Sequence, residues 1–511
     1  MFQTFDVTAR PEQGPPRLAA LREELARDGL DGFLVPRADA HQGEYVAAHD
    51  ERLSWLTGFT GSAGFCAALR DIAGVFIDGR YRTQVKAQVA PEFTPVPWPD
   101  VQLADWLKQQ LPQGGRVAYD PWLHTPAEVR ALTALLADHC TVEPHANLVD
   151  AIWADRPGAP VSTIEFLGHN RAGQTAGDKI GAIQASLTTD KADAAVLSLP
   201  ESICWLLNMR GRDVPNTPVV LGFAIVPRAG QPTLYLDPAK ITDELTAALK
   251  GVATVASTDT LTADLAALGA AGKAVLIDPA TAPAAIATSL TEAGASLIEK
   301  ADPVLLPKAK KNEAELAGMR EAHHLDGVAL AKFLAWFDDK APKGGLTEIG
   351  IVTALESFRR QEESCVDASF DTISGAGPNG AIVHYRVTSK TDRALNPGEL
   401  MLVDSGAQYL SGTTDITRTL STGATMFEQR DRFTRVLKGM IAISLARFPQ
   451  GTSGAQLDTL ARQFLWQDGV TYNHGTGHGV GAYLGVHEGP VGISPRYTTP
   501  LQAGNVLSNE P

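Results

Sequence analysis

The chain has 511 residues, of which 44% are hydrophobic and 20% are charged. This composition is ordinary for a globular protein, and the length is too great for one hydrophobic core, so we expect about three domains. The formal net charge of -14 argues against a nucleic-acid partner, because a nucleic-acid surface needs a basic stripe.

The cysteines and the apolar runs indicate the compartment. Four cysteines lie far apart without CxxC spacing, which is typical of reduced thiols. The first ten residues lack the basic-then-apolar pattern of a secretory signal. The longest apolar run, residues 219–226, is far too short to span a bilayer. We therefore predict a cytoplasmic location and no membrane partner.

Helices and short apolar strands alternate in the first part of the chain, which indicates α/β structure. Leu18, Leu21 and Leu25 have helical spacing, and Gly29 is placed to end that helix. Residues 192–196 weakly repeat the pattern of residues 31–35, and we leave duplication and chance open. We predict two α/β domains, residues 1–158 and 159–305, joined by a Pro- and Gly-containing linker at 155–160.

A third domain is predicted for residues 306–511. Asn312 and Glu315 form a capping-box pattern at the start of a long helix. A second helix is predicted from Thr347, and a third over residues 427–448. The basic cluster of residues 308, 310 and 311 is interpreted as a solvated linker. For Trp466, burial in the core is a simpler interpretation than a dimer contact.

Two carboxylates occur in a predicted hairpin. Asp404 lies in the apolar strand 399–404, and Asp415 in the alternating strand 414–420, with a turn at 411–412. A carboxylate in an apolar strand costs free energy unless it is paired or bound to a metal. Two carboxylates that face each other repel, and a cation between them removes that penalty.

A glycine-rich segment supplies imidazoles. His474-Gly-Thr-Gly-His478-Gly-Val-Gly surrounds two histidines with four glycines, which allow close approach of backbone or ligand. Imidazole and carboxylates together suit a divalent transition ion. A phosphate-binding loop is disfavoured because it usually opens a helix and carries a lysine. Val486-His487-Glu488-Gly-Pro and Asn509-Glu510-Pro511 are weak signals when taken alone.

Together, the order and spacing of these motifs resemble those of the pita-bread metallopeptidases, which include methionine aminopeptidase, prolidase and aminopeptidase P. Within that family the chain resembles most the cytosolic three-domain Xaa-Pro aminopeptidases. The supporting phrases lie at residues 41–45, 78–81, 373–385, 404–409, 412–419 and 474–481. The resemblance implies two creatinase-N-like α/β domains followed by a pita-bread catalytic domain, that is, an α/β and α+β fold, and a homodimer.

The resemblance also implies a dinuclear metal site. Asp404 would bind one ion, Asp415 would bridge both, and His478 and Glu510 would bind the second ion. The family pattern has a further bridging Glu in a later Gly-Ile-Arg-Ile-Glu-like strand. We expect the natural protein to continue beyond Pro511, since the site is incomplete without that ligand and the activity of this segment stays open. The family usually uses Mn(II); Co(II) and Zn(II) remain possible.

Further roles are implied for residues around the ions. Glu510 would take a proton from the nucleophile, and His487 would shuttle protons. His384 would hydrogen-bond the substrate and stabilise the tetrahedral intermediate. His474 would line the pocket for the proline ring. Arg80 would either reach the substrate or form a structural salt bridge, and each histidine has a purely structural alternative.

The implied activity is metal-dependent removal of the N-terminal residue from peptides with proline in second position. An Xaa-Pro bond is a tertiary amide without an N–H, so general aminopeptidases fail on it and a dedicated pocket is needed. The alternatives are a prolidase-like Xaa-Pro dipeptidase, which the long double N-terminal region disfavours, and a catalytically inactive pita-bread binding protein. The sequence does not identify the physiological peptide or its preferred first residue.

Overall fold

The computed structural model describes residues 1–511. Two six-stranded sheets, each with its own helices, are followed by a C-terminal region of long helices and smaller sheets. None of the helices combines the length and the apolar character needed to cross a lipid bilayer.

The first sheet and its helices occupy residues 14–152. The strands are β1 (Gly32–Pro36), β2 (Phe65–Leu69), β3 (Ala73–Ile77), β4 (Phe93–Pro97), β5 (Gly115–Tyr119) and β6 (Cys140–Pro144). The helices are α1 (Gly14–Arg27), α2 (Arg52–Thr57), α3 (Gln84–Gln88), α4 (Leu103–Gln110), α5 (Pro126–Leu136) and α6 (Leu148–Ile152). The predicted first helix is confirmed: Leu18, Leu21 and Leu25 are buried, and Gly29 follows with a φ of 67°.

The second sheet begins after an irregular segment that includes the predicted linker. Its strands are β8 (Ala194–Leu197), β10 (Phe223–Pro227), β11 (Thr233–Leu236), β12 (Thr254–Ser257), β13 (Ala274–Ile277) and β14 (Ser296–Glu299), while β7 (Glu165–Phe166) and β9 (Met209–Arg210) form a separate pair. The helices are α7 (His169–Ala172), α8 (Ala176–Thr189), α9 (Pro200–Leu206), α10 (Asp243–Ala248), α11 (Leu261–Ala270) and α12 (Ala284–Glu292).

The two large sheets have the same topology. Their strand orders are β4-β3-β2-β1-β5-β6 and β12-β11-β10-β8-β13-β14. In both, three consecutive strands pair antiparallel and the remaining neighbours pair parallel. The weak internal repeat of the sequence therefore corresponds to a repeated architecture.

The C-terminal region is built on five helices: α13 (Leu305–Ala309), α14 (Glu313–Lys340), α15 (Glu348–Arg359), α16 (Phe427–Leu445) and α17 (Gly454–Trp466). Asn312 caps α14 in a full capping box with Glu315, as predicted. The third predicted helix ends at Leu445, three residues early. Trp466 is 50% exposed, so the interpretation that it is buried in the core is wrong.

The interpretation of the basic cluster as a solvated linker is also wrong for two of its lysines. Lys308 and Lys311 are buried, and both form ion pairs with the buried carboxylate of Glu488. A buried ammonium needs a hydrogen-bonded counter-charge, and this partner lies about 180 positions away in the chain.

Short strands in the C-terminal region carry the predicted hairpin. They are β15 (Cys365–Ala368), β16 (Ile373–Ala376), β17 (Leu400–Ser405), β18 (Ala407–Tyr409), β19 (Gly412–Thr413), β20 (Ile416–Ser421), β21 (Gly477–Gly479) and β22 (Glu488–Ile493). β17 pairs antiparallel with β20, with Asp404 opposite Thr417, so the hairpin is confirmed. The turn near residue 411 joins β18 to β19, and Asp415 lies just before β20 instead of within a strand.

The hydrophobic cores are divided unequally among these parts. One cluster of 22 buried residues lies wholly within residues 18–153. The cluster of 25 residues below the second sheet also includes Val304 and Leu484. The second sheet and the C-terminal region therefore share one core, whereas the 22-residue cluster of the first sheet includes only residues of its own region. A second cluster of the first sheet also includes Ala284 of α12.

Candidate metal centre and catalytic cleft

Three predicted ligands converge in the C-terminal region. The ligand atoms of Asp415, His478 and Glu510 all lie within 4.8 Å of one another. His478 Nε2 is 3.2 Å from an oxygen of Asp415 and 3.0 Å from an oxygen of Glu510. An imidazole and two carboxylates from segments 63 and 95 positions apart in the chain thus form one cluster.

Asp404 completes the cluster. Burial and the charges of Asp415 and Glu510 raise its pKa well above the ordinary aspartate value. Its Oδ1 atom is buried and has no hydrogen-bond partner within the protein. A buried, unpaired carboxylate oxygen beside other carboxylates is a position that a cation would satisfy. The donor set of carboxylates and one imidazole therefore fits divalent metal ions.

Strand pairing fixes the positions of these ligands. Asp404 and Asp415 lie at the same end of the β17–β20 hairpin. β21 carries His478 and lies between β22 and the backbone of residues 506–508. The backbone N–H of Ser508 donates to the carbonyl of His478 over 2.8 Å, and that of Glu510 donates to the carbonyl of Thr476 over 3.1 Å. The two C-terminal ligands are therefore held in a fixed register.

Glycine is required for this close stacking of backbones. A Cβ on Gly477 would lie 2.4 Å from the carbonyl oxygen of Ser508, and a Cβ on Gly479 would lie 2.1 Å from that of Glu488. The sequence pattern of glycines around the histidines thus corresponds to close backbone approach, as expected.

Hydrogen bonds prepare His478 to act as a ligand. Its Nδ1 lies 2.8 Å from the carbonyl oxygen of Gly479 and donates to it, which directs Nε2 toward the carboxylates. Burial alone would lower the pKa of His478, but hydrogen bonds with Asp415 and Glu510 raise it well above its ordinary value. Burial likewise opposes ionisation of Glu510, yet His478 lowers the pKa of that carboxyl to about 2.

Two further predicted histidines lie beside loops of the first sheet. His487 Nδ1 is 2.5 Å from Glu44 Oε2, and the His487 ring meets the His478 ring edge-on at 4.3 Å. His384 Nδ1 is 2.6 Å from the Tyr81 hydroxyl. Burial, followed by the charge of Arg80, lowers the pKa of His384 to about 4. The first sheet therefore contributes side chains to the cleft around the metal cluster.

The structure does not bring Arg80 and His474 into this cluster. Arg80 forms a salt bridge with Asp78 at 2.7 Å, which is the structural alternative considered above. His474 Nδ1 bonds to the carbonyl of Gly475, and its ring lies 5.3 Å from the ring of Tyr472. Neither residue forms a hydrogen bond with another predicted site residue, so their roles in substrate binding stay predictions.

Sequence reasoning missed three residues that contact the histidines or each other: Glu44, Ser62 and Tyr81. Glu44 and Tyr81 belong to the phrases at 41–45 and 78–81 that contributed to the family resemblance. Those phrases were therefore a usable signal for residues of the cleft. Ser62 lies in a Gly-Ser-Ala-Gly turn that has no such signal.

Comparisons with known proteins identify the family to which this cluster and fold belong. The profile of metallopeptidase family M24 matches residues 317–511, and two creatinase/prolidase N-terminal domain profiles match residues 17–152 and 155–315. A probable Xaa-Pro aminopeptidase P of Aspergillus niger is 40% identical, over 97% of this chain and 83% of the relative. A second, from Paracoccidioides brasiliensis, is 39% identical over 97% of this chain and 84% of the relative.

The chain belongs to the Xaa-Pro aminopeptidase P family. The predicted order of two creatinase-like N-terminal domains and an M24 domain is confirmed. A solved structure of this family, the X-prolyl aminopeptidase of Caenorhabditis elegans, matches 98% of this chain and 84% of its own with a TM-score of 0.92 and 33% identity. That protein is described as a cytosolic enzyme with a dinuclear active site.

Proposed function

We propose that the protein releases the N-terminal residue from peptides in which proline is second. The observation that carries this proposal is the cluster of Asp404, Asp415, His478 and Glu510 facing His384 and His487 in a chain of the Xaa-Pro aminopeptidase P family. Family membership defines the substrate class, and the cluster supplies groups suited to hydrolysis.

We propose that Asp404 and Asp415 hold one ion, and that Asp415, His478 and Glu510 hold a second. Two bound divalent ions would supply an activated water and polarise the scissile carbonyl. The dinuclear site of the C. elegans relative supports this number of ions. Mn(II) is our proposed metal because oxygen-rich ligands with one imidazole suit it, with Co(II) and Zn(II) as alternatives.

The protein groups would manage protons and hold the peptide. Glu510 would accept a proton from the attacking water at a carboxylate oxygen. His487, whose ring packs against His478 and whose Nδ1 is held by Glu44, would carry a proton to the departing proline nitrogen. His384 would hydrogen-bond the peptide. His474 and Arg80 are proposed to line the pocket farther from the reacting bond.

The rival activity is that of a prolidase, which cleaves dipeptides only. Similarity to aminopeptidase P proteins over 97% of this chain, including both N-terminal regions, supports the aminopeptidase. The remaining expectations from the sequence stay predictions: domain boundaries near residues 158 and 305, a homodimer and a cytoplasmic location.

The deciding experiment compares an Xaa-Pro-Yaa tripeptide with an Xaa-Pro dipeptide, each with and without added Mn(II). We expect metal-dependent release of the first residue from the tripeptide. Asp415→Asn should abolish that release, whereas Asp264→Asn, which changes a carboxylate bonded to Tyr235 in the second sheet region, should not. Cleavage restricted to the dipeptide would establish a prolidase, and no cleavage by the full-length natural protein with metal present would refute the proposal.

A further inference from the structure

A chain of hydrogen bonds runs from the first sheet to His384. Ser62 Oγ lies 3.0 Å from Glu44 Oε1 and 2.7 Å from the Tyr81 hydroxyl. The Tyr81 hydroxyl in turn lies 2.6 Å from His384 Nδ1 and 3.1 Å from the backbone nitrogen of Ser62. The side chains of Glu44, Ser62, Tyr81 and His384 are thus linked in series by hydrogen bonds, each of which needs one proton.

The donor and the acceptor of each hydrogen bond can be assigned by starting from Glu44. Glu44 is a carboxylate, because its contact with His487 outweighs burial and lowers its pKa to about 2; it can only accept. Ser62 Oγ must therefore donate to Glu44, and its oxygen is left to accept from Tyr81. Since the single hydroxyl proton of Tyr81 is then committed, the Tyr81 oxygen accepts from His384 Nδ1.

We propose that Ser62 and Tyr81 are positioning residues that fix the proton of His384 on Nδ1, leaving Nε2 as a hydrogen-bond acceptor for the peptide. Nε2 has no hydrogen-bond partner within the protein. This inference rests on the proposed function for its substrate, but the tautomer itself is a property of the protein alone.

Packing holds the donor and acceptor in place. Phe59 meets the Tyr81 ring edge-on at 5.5 Å, and the Tyr81 and His384 rings meet at 74° and 5.5 Å. The hydroxyl of Tyr385, the next residue in the chain, donates to the buried carboxylate of Glu348 over 2.9 Å. Both the ring of His384 and the backbone that carries it are therefore fixed.

The tautomer changes the expected role of His384. A neutral imidazole protonated on Nδ1 cannot donate from Nε2 to the oxyanion of a tetrahedral intermediate, which is the role that the family resemblance implied. It can accept a hydrogen bond from a peptide N–H. The scissile nitrogen of an Xaa-Pro bond has no hydrogen, so the donor is the N-terminal amino group or the amide after proline.

The tautomer can be measured by ¹⁵N NMR of histidine-labelled, full-length protein loaded with Zn(II), which is diamagnetic. A protonated ring nitrogen resonates well upfield of an unprotonated one, and the His384 signals are assigned by their loss in His384→Gln. We expect a protonated Nδ1 and an unprotonated Nε2. In Ser62→Ala the Tyr81 hydroxyl is released to donate to Nδ1, so the proton should move to Nε2.

Kinetics provides a second readout. Loss of a partner that orients a histidine costs about 10- to 100-fold at metal-binding histidines, and we expect a similar fall in kcat/KM for Ser62→Ala and Tyr81→Phe. Tyr235→Phe is the matched control, because it also removes a buried hydroxyl bonded to a neighbour, here Asp264 at 2.7 Å. Its kinetic constants should equal those of the wild type.

Three results would overturn the proposal: a proton on Nε2 in the wild type, an unchanged tautomer in Ser62→Ala, or unchanged kcat/KM in both variants. Failure of the proposed function gives a different pattern. In that case the wild type would cleave no Xaa-Pro peptide, while the NMR spectra would still report the tautomer of His384.

Discussion

The two large sheets have the same strand order but different relations to the catalytic region. Loops of the first sheet present Glu44 and Tyr81 to the two histidines of the cleft, while its cluster of 22 buried residues includes no residue of the catalytic region. The second sheet makes no such contact with those histidines. It shares a hydrophobic core with the C-terminal region and is joined to it by buried charges.

The buried charges of the second sheet region act on backbone. Arg210 donates to the carbonyls of Ala482 and Tyr483, just before the segment that carries His487. Lys308 and Lys311, which follow the second sheet, enclose Glu488 directly after His487. The same strand order therefore serves two purposes. The second sheet region holds the backbone near the site in place, and the first sheet supplies polar side chains to the site.

The largest expected effect is a loss of folding stability when the buried charge that joins the second sheet region to the C-terminal region is removed. Glu488→Gln leaves two buried ammonium groups without their counter-charge, and removal of one partner from a buried ion pair typically costs about 3–5 kcal/mol. Urea unfolding should show a loss of stability in this range. Glu299→Gln is the control, because its pair with Arg130 is exposed and should contribute under about 1 kcal/mol. Equal losses in the two variants would contradict the role of Glu488 as the buried counter-charge of Lys308 and Lys311.

A smaller change in folding stability, a gain instead of a loss, is expected when Asp302, which follows the second sheet, is replaced. Burial raises the pKa of this carboxyl to about 6 from an ordinary 3.8. Because the folded state binds the proton more tightly than the unfolded chain, the stabilisation is complete below about pH 4 and is lost as the pH rises through 6.

Asp302→Asn removes this dependence, because an amide does not ionise. A difference of about two pH units corresponds to about 3 kcal/mol at most, so the variant should be more stable than the wild type at pH 7.5 and equal to it at pH 4. Unfolding curves at both values check this prediction. A constant difference between the proteins across that interval would refute it.

The smallest expected effect sharpens the comparison between the sheets. Tyr81 lies just after β3 and Tyr235 lies within β11, the corresponding strand of the second sheet. Tyr81→Phe and Tyr235→Phe each remove one buried hydroxyl, so each should cost about 1 kcal/mol of stability. Thermal unfolding should therefore give similar shifts for both variants, while only Tyr81→Phe should lose activity. A much larger loss of stability for Tyr81→Phe would assign that residue a mainly structural role.

Much of the fold and of the metal cluster was predictable from the sequence. The α1 leucines have helical spacing, and of the two hairpin strands one is apolar and the other alternates, so local pattern determines both. The cluster was predictable because the family resemblance gives each ligand a motif of its own. Asp415 lies just before β20 and not within a strand, because a short β18–β19 ribbon, which periodicity does not reveal, precedes β20.

The errors share a physical cause. Lysines are exposed by default, and nothing near residues 308–311 reveals Glu488, which packs against them from the far end of the chain. The contacts of Glu44 and Tyr81 span 443 and 303 positions. Trp466 has an amphipathic pattern that does not state whether its apolar face meets the core or remains exposed.

The contacts of Tyr81 and Glu44 with the two histidines also imply an order of steps in the folding of the chain. A part of the chain with its own core folds as a unit, so the first sheet can form before it meets the C-terminal region. The histidines acquire their partners only when these two units dock. Recovery of peptidase activity during refolding should therefore lag behind the recovery of secondary structure, with docking as the last step.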